Sequence, residues 1–320
     1  MEILIKRFFH ALLILVGIII INFSLFFLSP GDLTNLYFSP KVKPAQLESL
    51  KQQMGIDKPW FTQFRDWISN FLRGDLGYSW AKHRSVSSIL GEAIPATLQL
   101  TIFALLINLV VGCLIGIIGG INSDRLSGKF IDFVTLGMYS IPVFLLALFF
   151  IYFFSLKLQL LPPSGMNSFM ASSGNFWQKF WDRLQHLILP VSVLGIIGAA
   201  ATSRYVHGHM KEILKQDYIR LAIAKGLTKK RIYFNHAFKN AMLPVVTLLG
   251  IYFPFLLGSA LIVEVIFAWP GIGRVTYEAV FSKDYPVIMA VNLIAGIMVI
   301  VGNFISDLLY QLIDPRIRVK

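Results

Sequence analysis

Six stretches of this chain, at about 8–28, 98–121, 131–154, 186–207, 244–264 and 286–313, are apolar and almost free of charge over some twenty residues each. A helix that long rises about 30 Å, the thickness of a bilayer's hydrocarbon core. In lipid only helices and closed barrels satisfy their own backbone. The runs therefore predict an all-α, polytopic membrane protein with six transmembrane helices. Composition agrees, with 56% hydrophobic and 14% charged residues where soluble domains carry about 25% charged. The lone Cys113 lies inside an apolar run, so no disulfide forms within one chain.

The first run follows Lys6 and Arg7, as in a signal peptide. Its apolar core exceeds the about 7–15 residues of a signal, and "LSPGD" follows without a small-residue cleavage site. Residues 1–28 thus read as a retained signal-anchor helix. The net charge of +12 raises the question of which loops hold it. With the N-terminus inside, the short inner segments carry Lys6 and Arg7, Arg125 and Lys129, nine basic residues between Arg204 and Lys239, and Arg316, Arg318 and Lys320. The outer segments hold fewer, mostly in 29–97, a length at which charge has little influence on topology. Both termini are therefore expected in the cytoplasm, and nucleic acid is not expected as a partner.

Residues 29–97 read as an external helical segment. Within it, Phe61, Phe64, Trp67, Ile68 and Phe71 recur at steps of three and four and form an apolar helical face, with Pro59 suited to the start and Gly74 or Gly77 to the stop. Such a helix lies at the membrane interface or packs on the outer ends of the bundle. Residues 98–320 read as the core, with five further spans and a basic loop at 208–243. The second span repeats G-x-x-x-G at Gly112, Gly116 and Gly120, and the fourth carries Gly195, Ala199 and Ser203. Small residues so spaced let helix backbones approach closely, chiefly within one chain, with a second subunit left open.

No G-x-x-x-x-G-K-[ST] occurs, so the chain should not hydrolyse ATP itself, and H-E-x-x-H, G-x-S-x-G and C-x-x-C are also missing. His207 and His209 point about 200° apart on a helix and make a poor metal pair. Glu264, Asp307, Asp314 and Asp132 lie near span ends, which disfavours a proton-driven carrier. What remains is the loop "DYIRLAIAKGLTKKRIYFNHAFKNAMLP". Asp217 suits an N-cap, Tyr218 to Lys225 make about two helical turns, and Gly226 supplies a left-handed terminus. Thr228 suits the cap of a second helix from Lys229 to about Met242, and Pro244 the first turn of the next span. Ala222 and Ala224 leave the first helix low in relief. Charge alone would also suit a solvated or headgroup-bound basic loop.

The order "DYIRLAIAKG", nine residues, "HAFKNAMLP" resembles the coupling loop of ABC-transporter permeases of the oligopeptide/dipeptide/nickel importer branch. "SPGD", "MGIDKPW", "LRGDLGYS", "IPATLQLT", "LPPSG", "FAWPGIGR", "DYP" and "DPRIR" match that branch in order, so the resemblance covers nearly the whole chain. It implies a multi-pass subunit of a bacterial or archaeal-type cell membrane, with no catalytic or metal site. Its partners would be a second, distinct permease, two cytoplasmic ABC ATPase subunits holding ATP and Mg, and an external solute-binding protein. The matching loop positions are Asp217, Tyr218, Arg220, Ala222, Ala224, Lys225, Gly226, His236, Ala237, Asn240, Ala241 and Pro244. Where the general permease motif begins Glu-Ala-Ala, this chain has Arg220-Leu221-Ala222, so no Glu-mediated docking contact is implied. The resemblance implies peptide as the substrate, with nickel chelates or another small solute as the alternative. A stand-alone secondary carrier is the remaining, weaker expectation.

Overall fold

A computed structural model describes residues 2–28, 58–79, 81–169, 173–238, 240–241 and 260–313. They form helices α1 (Glu2–Leu28), α2 (Trp60–Leu72), α3 (Val86–Ile121), α4 (Leu126–Ser140), α5 (Val143–Phe150), α6 (Phe176–Ile213), α7 (Asp217–Ala224), α8 (Lys229–Arg231), α9 (Ile272–Phe281) and α10 (Tyr285–Ile313). A two-residue hairpin, β1 (Tyr78–Ser79) with β2 (Arg84–Ser85), precedes α3. π-Helical turns extend α5 through Ile151–Lys157 and α8 through Ile232–Ala237. Among the described residues, Val86–Ile121, Phe176–Ile213 and Tyr285–Ile305 are each long and apolar enough to cross a membrane. Leu12–Ser24 within α1 is a shorter apolar stretch. The fifth apolar run lies outside the described residues up to 259, and 260–266 are helical.

The third run is not one continuous helix. It breaks between Ser140 and Val143, where α4 and the extended α5 meet at 96°. Pro142 explains the break: it has no N–H to continue the ladder, and it holds Ile141 extended at ψ 125°.

The chain divides into two compact units, Met1–Pro95 with Val275–Ile300 and Ala96–Arg274 with Val301–Lys320. In the first, Phe23 of α1 is nearly fully buried and meets Trp60, Phe64 and Trp67 of α2 at ring-centroid distances of 5.7, 5.3 and 5.8 Å. The external amphipathic helix thus packs on α1, while Phe61 turns outward instead of joining that face. Pro59 precedes its first turn and Gly74, at φ +84°, follows its last. Asn22 donates to Met289 O at 2.9 Å and accepts from Asn292 at 3.1 Å, a polar tie between α1 and α10. The hairpin is fastened by Ser79, which donates to the buried Asp284, and by Lys82 paired with Glu278 at 2.7 Å. "LRGDLGYS" and "DYP" therefore meet in space.

The second unit is organised by contact between α3 and α6. A methyl group at Gly112 would stand 2.8 Å from Thr202 Cβ and 2.9 Å from Ala199 O. At Gly116 it would stand 2.6 Å from Ser203 O, and at Gly120 2.6 Å from Met210 Cβ. The two small-residue tracks pack on each other, and Thr202 donates to Asn108 at 2.6 Å across the contact. α6 starts at a capping box, with Asn175 accepting from Gln178 N and Gln178 accepting from Asn175 N, both at 2.9 Å. One turn on, the Asp182 carboxylate accepts from Ser168 N at 2.8 Å and from Ser168 Oγ at 2.5 Å.

At the other end of α3, Glu264 is fully buried. Its carboxylate accepts from Thr97 Oγ1 at 2.6 Å and from Arg274 N at 3.0 Å. Thr97 in turn accepts from Ile272 N at 2.7 Å, and Trp269 Nε1 donates to Ala96 O at 2.9 Å. The carboxylate lies at the start of α9 and satisfies donors that the helix leaves unpaired. A side chain at Gly271 would strike it, and one at Gly273 would strike Leu261, which accounts for both glycines of "FAWPGIGR".

Gly116→Val should overpack the α3–α6 contact by about 1–3 kcal/mol, lowering the unfolding midpoint of the purified protein in detergent. Gly137→Ala, with open space around its Cβ, should leave that midpoint unchanged in the same assay.

Candidate functional site

After α6, Leu214, Lys215 and Gln216 turn the chain, and α7 runs from Asp217 to Ala224. Gln216, not Asp217, holds the N-cap position, and Asp217 is the first helical residue, 3.6 Å from Arg220. At the C-terminus Gly226 adopts φ +75°. Gly226 N bonds Ile223 O at 2.9 Å and Leu227 N bonds Ala222 O at 3.2 Å, the paired bonds of a Schellman motif. Nothing lies within 4 Å of where a Gly226 Cβ would stand, so the backbone conformation is what demands glycine here.

α7 is seated by one face. Ile219 and Ala222, one turn apart, are buried in a cluster with Val206 and Met210 of α6, Ile117 of α3, and Ile232. Ala237 and Ala241 are fully buried in the same cluster. The opposite face shows Arg220, Leu221, Ile223, Ala224 and Lys225 to the outside. Ala222 therefore contributes to packing within the chain, while the low relief near the turn rests on Ala224. Tyr218, 42% exposed, accepts from Asn240 at 3.0 Å, which ties α7 to the second helix. Thr228 holds the N-cap position of α8 without a side-chain cap bond. The α8 backbone then passes into the π-helical turn containing His236. Pro244 lies outside the described residues.

The loop positions thus fall into three groups. Asp217, Arg220, Ala224, Lys225 and Gly226 are exposed; Tyr218 and Asn240 bridge the two helices; Ala222, Ala237 and Ala241 are interior. The sequence reading missed the supporting residues Ile219, Val206, Met210 and Ile232. The spacing of Ile219 and Ala222 would have flagged an inward face, but not its partners on α3 and α6. It also missed the contact of His207 with α4. His207 is buried with Nδ1 2.8 Å from Asp132 Oδ1, in space left by Gly119. His209 instead faces the Tyr205 ring at 4.6 Å and Glu212 at 3.9 Å.

Residues 112–319 match the family described as binding-protein-dependent transport system inner membrane component, and residues 1–101 match that family's N-terminal membrane component. The chain belongs to this permease family. Over 98% of its length it is 35% identical to the oligopeptide transport system permease protein AppB of Bacillus subtilis (strain 168), covering 98% of that protein. It is 32% identical to the dipeptide transport system permease protein DppB of Alkalihalophilus pseudofirmus, with 98% of each covered. It is 34% identical to the glutathione transport system permease protein GsiC of Shigella flexneri, over 99% of this chain and 98% of that one. Among solved structures, a chain of the MetNI methionine ABC transporter in an inward-facing conformation superposes with a TM-score of 0.58 at 18% identity. That match covers 71% of this permease and 96% of the MetNI chain, and it speaks to fold alone.

Ile219→Ala should cost about 2–5 kcal/mol of local packing, and Gly226→Ala about 1 kcal/mol of left-handed backbone strain. Both should speed amide hydrogen exchange across residues 217–227, with Ile219→Ala the larger effect. Unchanged exchange in both variants would show that α7 is not held by this cluster.

Proposed function

We propose that this permease is the membrane subunit of an ABC-type importer of peptides. The reading places six spans across the cell membrane with both termini cytoplasmic, an external segment at 29–97 and a core at 98–320. The loop at 208–243 then faces the cytoplasm, and α7 is the element that docks on an ABC ATPase subunit. ATP and Mg reside on two such ATPase chains. A distinct permease supplies the other wall of the path, and an external solute-binding protein delivers substrate to the outer segments at 45–73 and 265–285.

The observation that carries the reading is the mounting of α7. One face is locked by Ile219 and Ala222 to the spans α3 and α6, and the other is exposed. A partner pressing on that face moves the spans without entering lipid. Its effect on the path equals its difference in contact between the two ATPase states. The chain aligns end to end with proteins named for oligopeptide and dipeptide transport, which supports peptide as the substrate class.

Gly226→Leu, in the complete transporter reconstituted in proteoliposomes, should lower peptide uptake about tenfold or more while ATP hydrolysis persists. A bulky side chain there forces the turn out of its left-handed conformation and tilts the docking face. Normal uptake by that variant would refute the role given to α7.

A further inference from the structure

The break in the third apolar run leaves backbone groups without partners. Beyond Ser140 the chain is extended through Ile141 and Pro142, and α5 starts a new direction at 96°. A continuing helix would pair the carbonyls of Met138, Tyr139 and Ser140 with the next N–H groups. Pro142 has none, and among the described residues nothing donates to these three carbonyls. The break is also exposed: Tyr139 is 54% and Phe144 46% exposed, and Ser140 and Pro142 are exposed as well.

Beside the break stands a charge. Arg204 of α6 holds its guanidinium 5.7 Å from the centroid of the Tyr139 ring. It lies three residues before the inner end of the apolar run 186–207, where a long cationic side chain reaches the membrane interface. Arg204 is exposed, and among the described residues no carboxylate pairs with it. The nearby Asp132 is engaged by His207 instead.

Carbonyls left without donors at a break within an apolar run do not face lipid; such groups persist where they line a hydrated cavity, and Arg204 stands beside this one. The geometry points to a substrate subsite in the inner half of the translocation path. Arg204, stacked on Tyr139, takes the carboxylate of a zwitterionic short peptide, and the free carbonyls of Met138, Tyr139 and Ser140 take its N–H or ammonium donors. This rests on the peptide-importer reading. Planar guanidinium suits a carboxylate, and a few exposed contacts give the weak binding that a site of passage requires.

Two measurements on the complete transporter, in a Cys113→Ala background, test the subsite and its ligand separately. Ser140→Cys should react with water-soluble methanethiosulfonates, and faster with the anionic ethylsulfonate than with the cationic ethylammonium. Adding Arg204→Gln should lower that anion-to-cation rate ratio about fivefold, because the removed charge is close. An unreactive Ser140→Cys, as a lipid or partner-permease contact would produce, or a ratio unmoved by Arg204→Gln, overturns the subsite. The second measurement compares import of tri-alanine with its C-terminal amide. Since the binding protein is the same in both permeases, Arg204→Gln should reduce the preference for the free acid about tenfold. Equal loss for both peptides overturns the carboxylate assignment and fits an Arg204 held by lipid phosphate. If the unmutated transporter imports neither peptide, the peptide reading fails, while the labelling ratio still decides whether the subsite exists.

Discussion

The close approach of α3 and α6 is the contact on which the second unit depends. Apolar side chains gain little by leaving lipid for one another, so association within a membrane relies on packing distance and on interhelical hydrogen bonds. Gly112, Gly116 and Gly120 remove the atoms that would hold the helices apart, and Thr202 with Asn108 supplies a hydrogen bond across the seam. The seam then continues past the apolar region. Met210 and Val206 at its end form the floor on which Ile219 and Ala222 of α7 rest. A load on α7 therefore meets two spans at once, because the same stretch of α6 both grips α3 and seats the short helix.

At the opposite end of α3 a different interaction serves a similar purpose. Among the described residues no ion pair offsets the burial of Glu264, an arrangement that is costly unless hydrogen bonds compensate. Here they do: Thr97 and the backbone at the start of α9 supply donors, and glycine at 271 makes room for the carboxylate. Two segments distant in sequence, "IPATLQLT" and "FAWPGIGR", are thereby one structural feature. The sequence showed only that the glutamate lies near a span end; its surroundings make it the cap of a short helix.

Much of the fold was legible in the sequence because membranes impose a simple rule on backbone polarity. Runs of about twenty apolar residues favour helices that satisfy their own backbone, and glycine spacing announces close contact. The turn at Gly226 was legible for a local reason, since left-handed backbone strongly favours glycine. The break at Pro142 was less so. Proline within an apolar run is compatible with a kink, a bulge or a full change of direction, and Pro190 sits inside a continuous α6 while Pro142 does not. Which outcome holds depends on whether surrounding groups re-satisfy the freed backbone.

The sequence by itself settled the helical class, the apolar runs, the family and the loop in which charge and small residues gather. Each depends on local chemistry or on an ordered series of short motifs. The tertiary structure decided which side of each helix faces inward. Ala222 and Ala224, two residues apart in one motif, end on opposite sides, one buried against α6 and one exposed. His207 and His209 likewise part, one to Asp132 and the other to Tyr205 and Glu212. A helical period marks residues that share a face, but the partner that claims the face arrives from distant sequence. Only the packed chain brings it there.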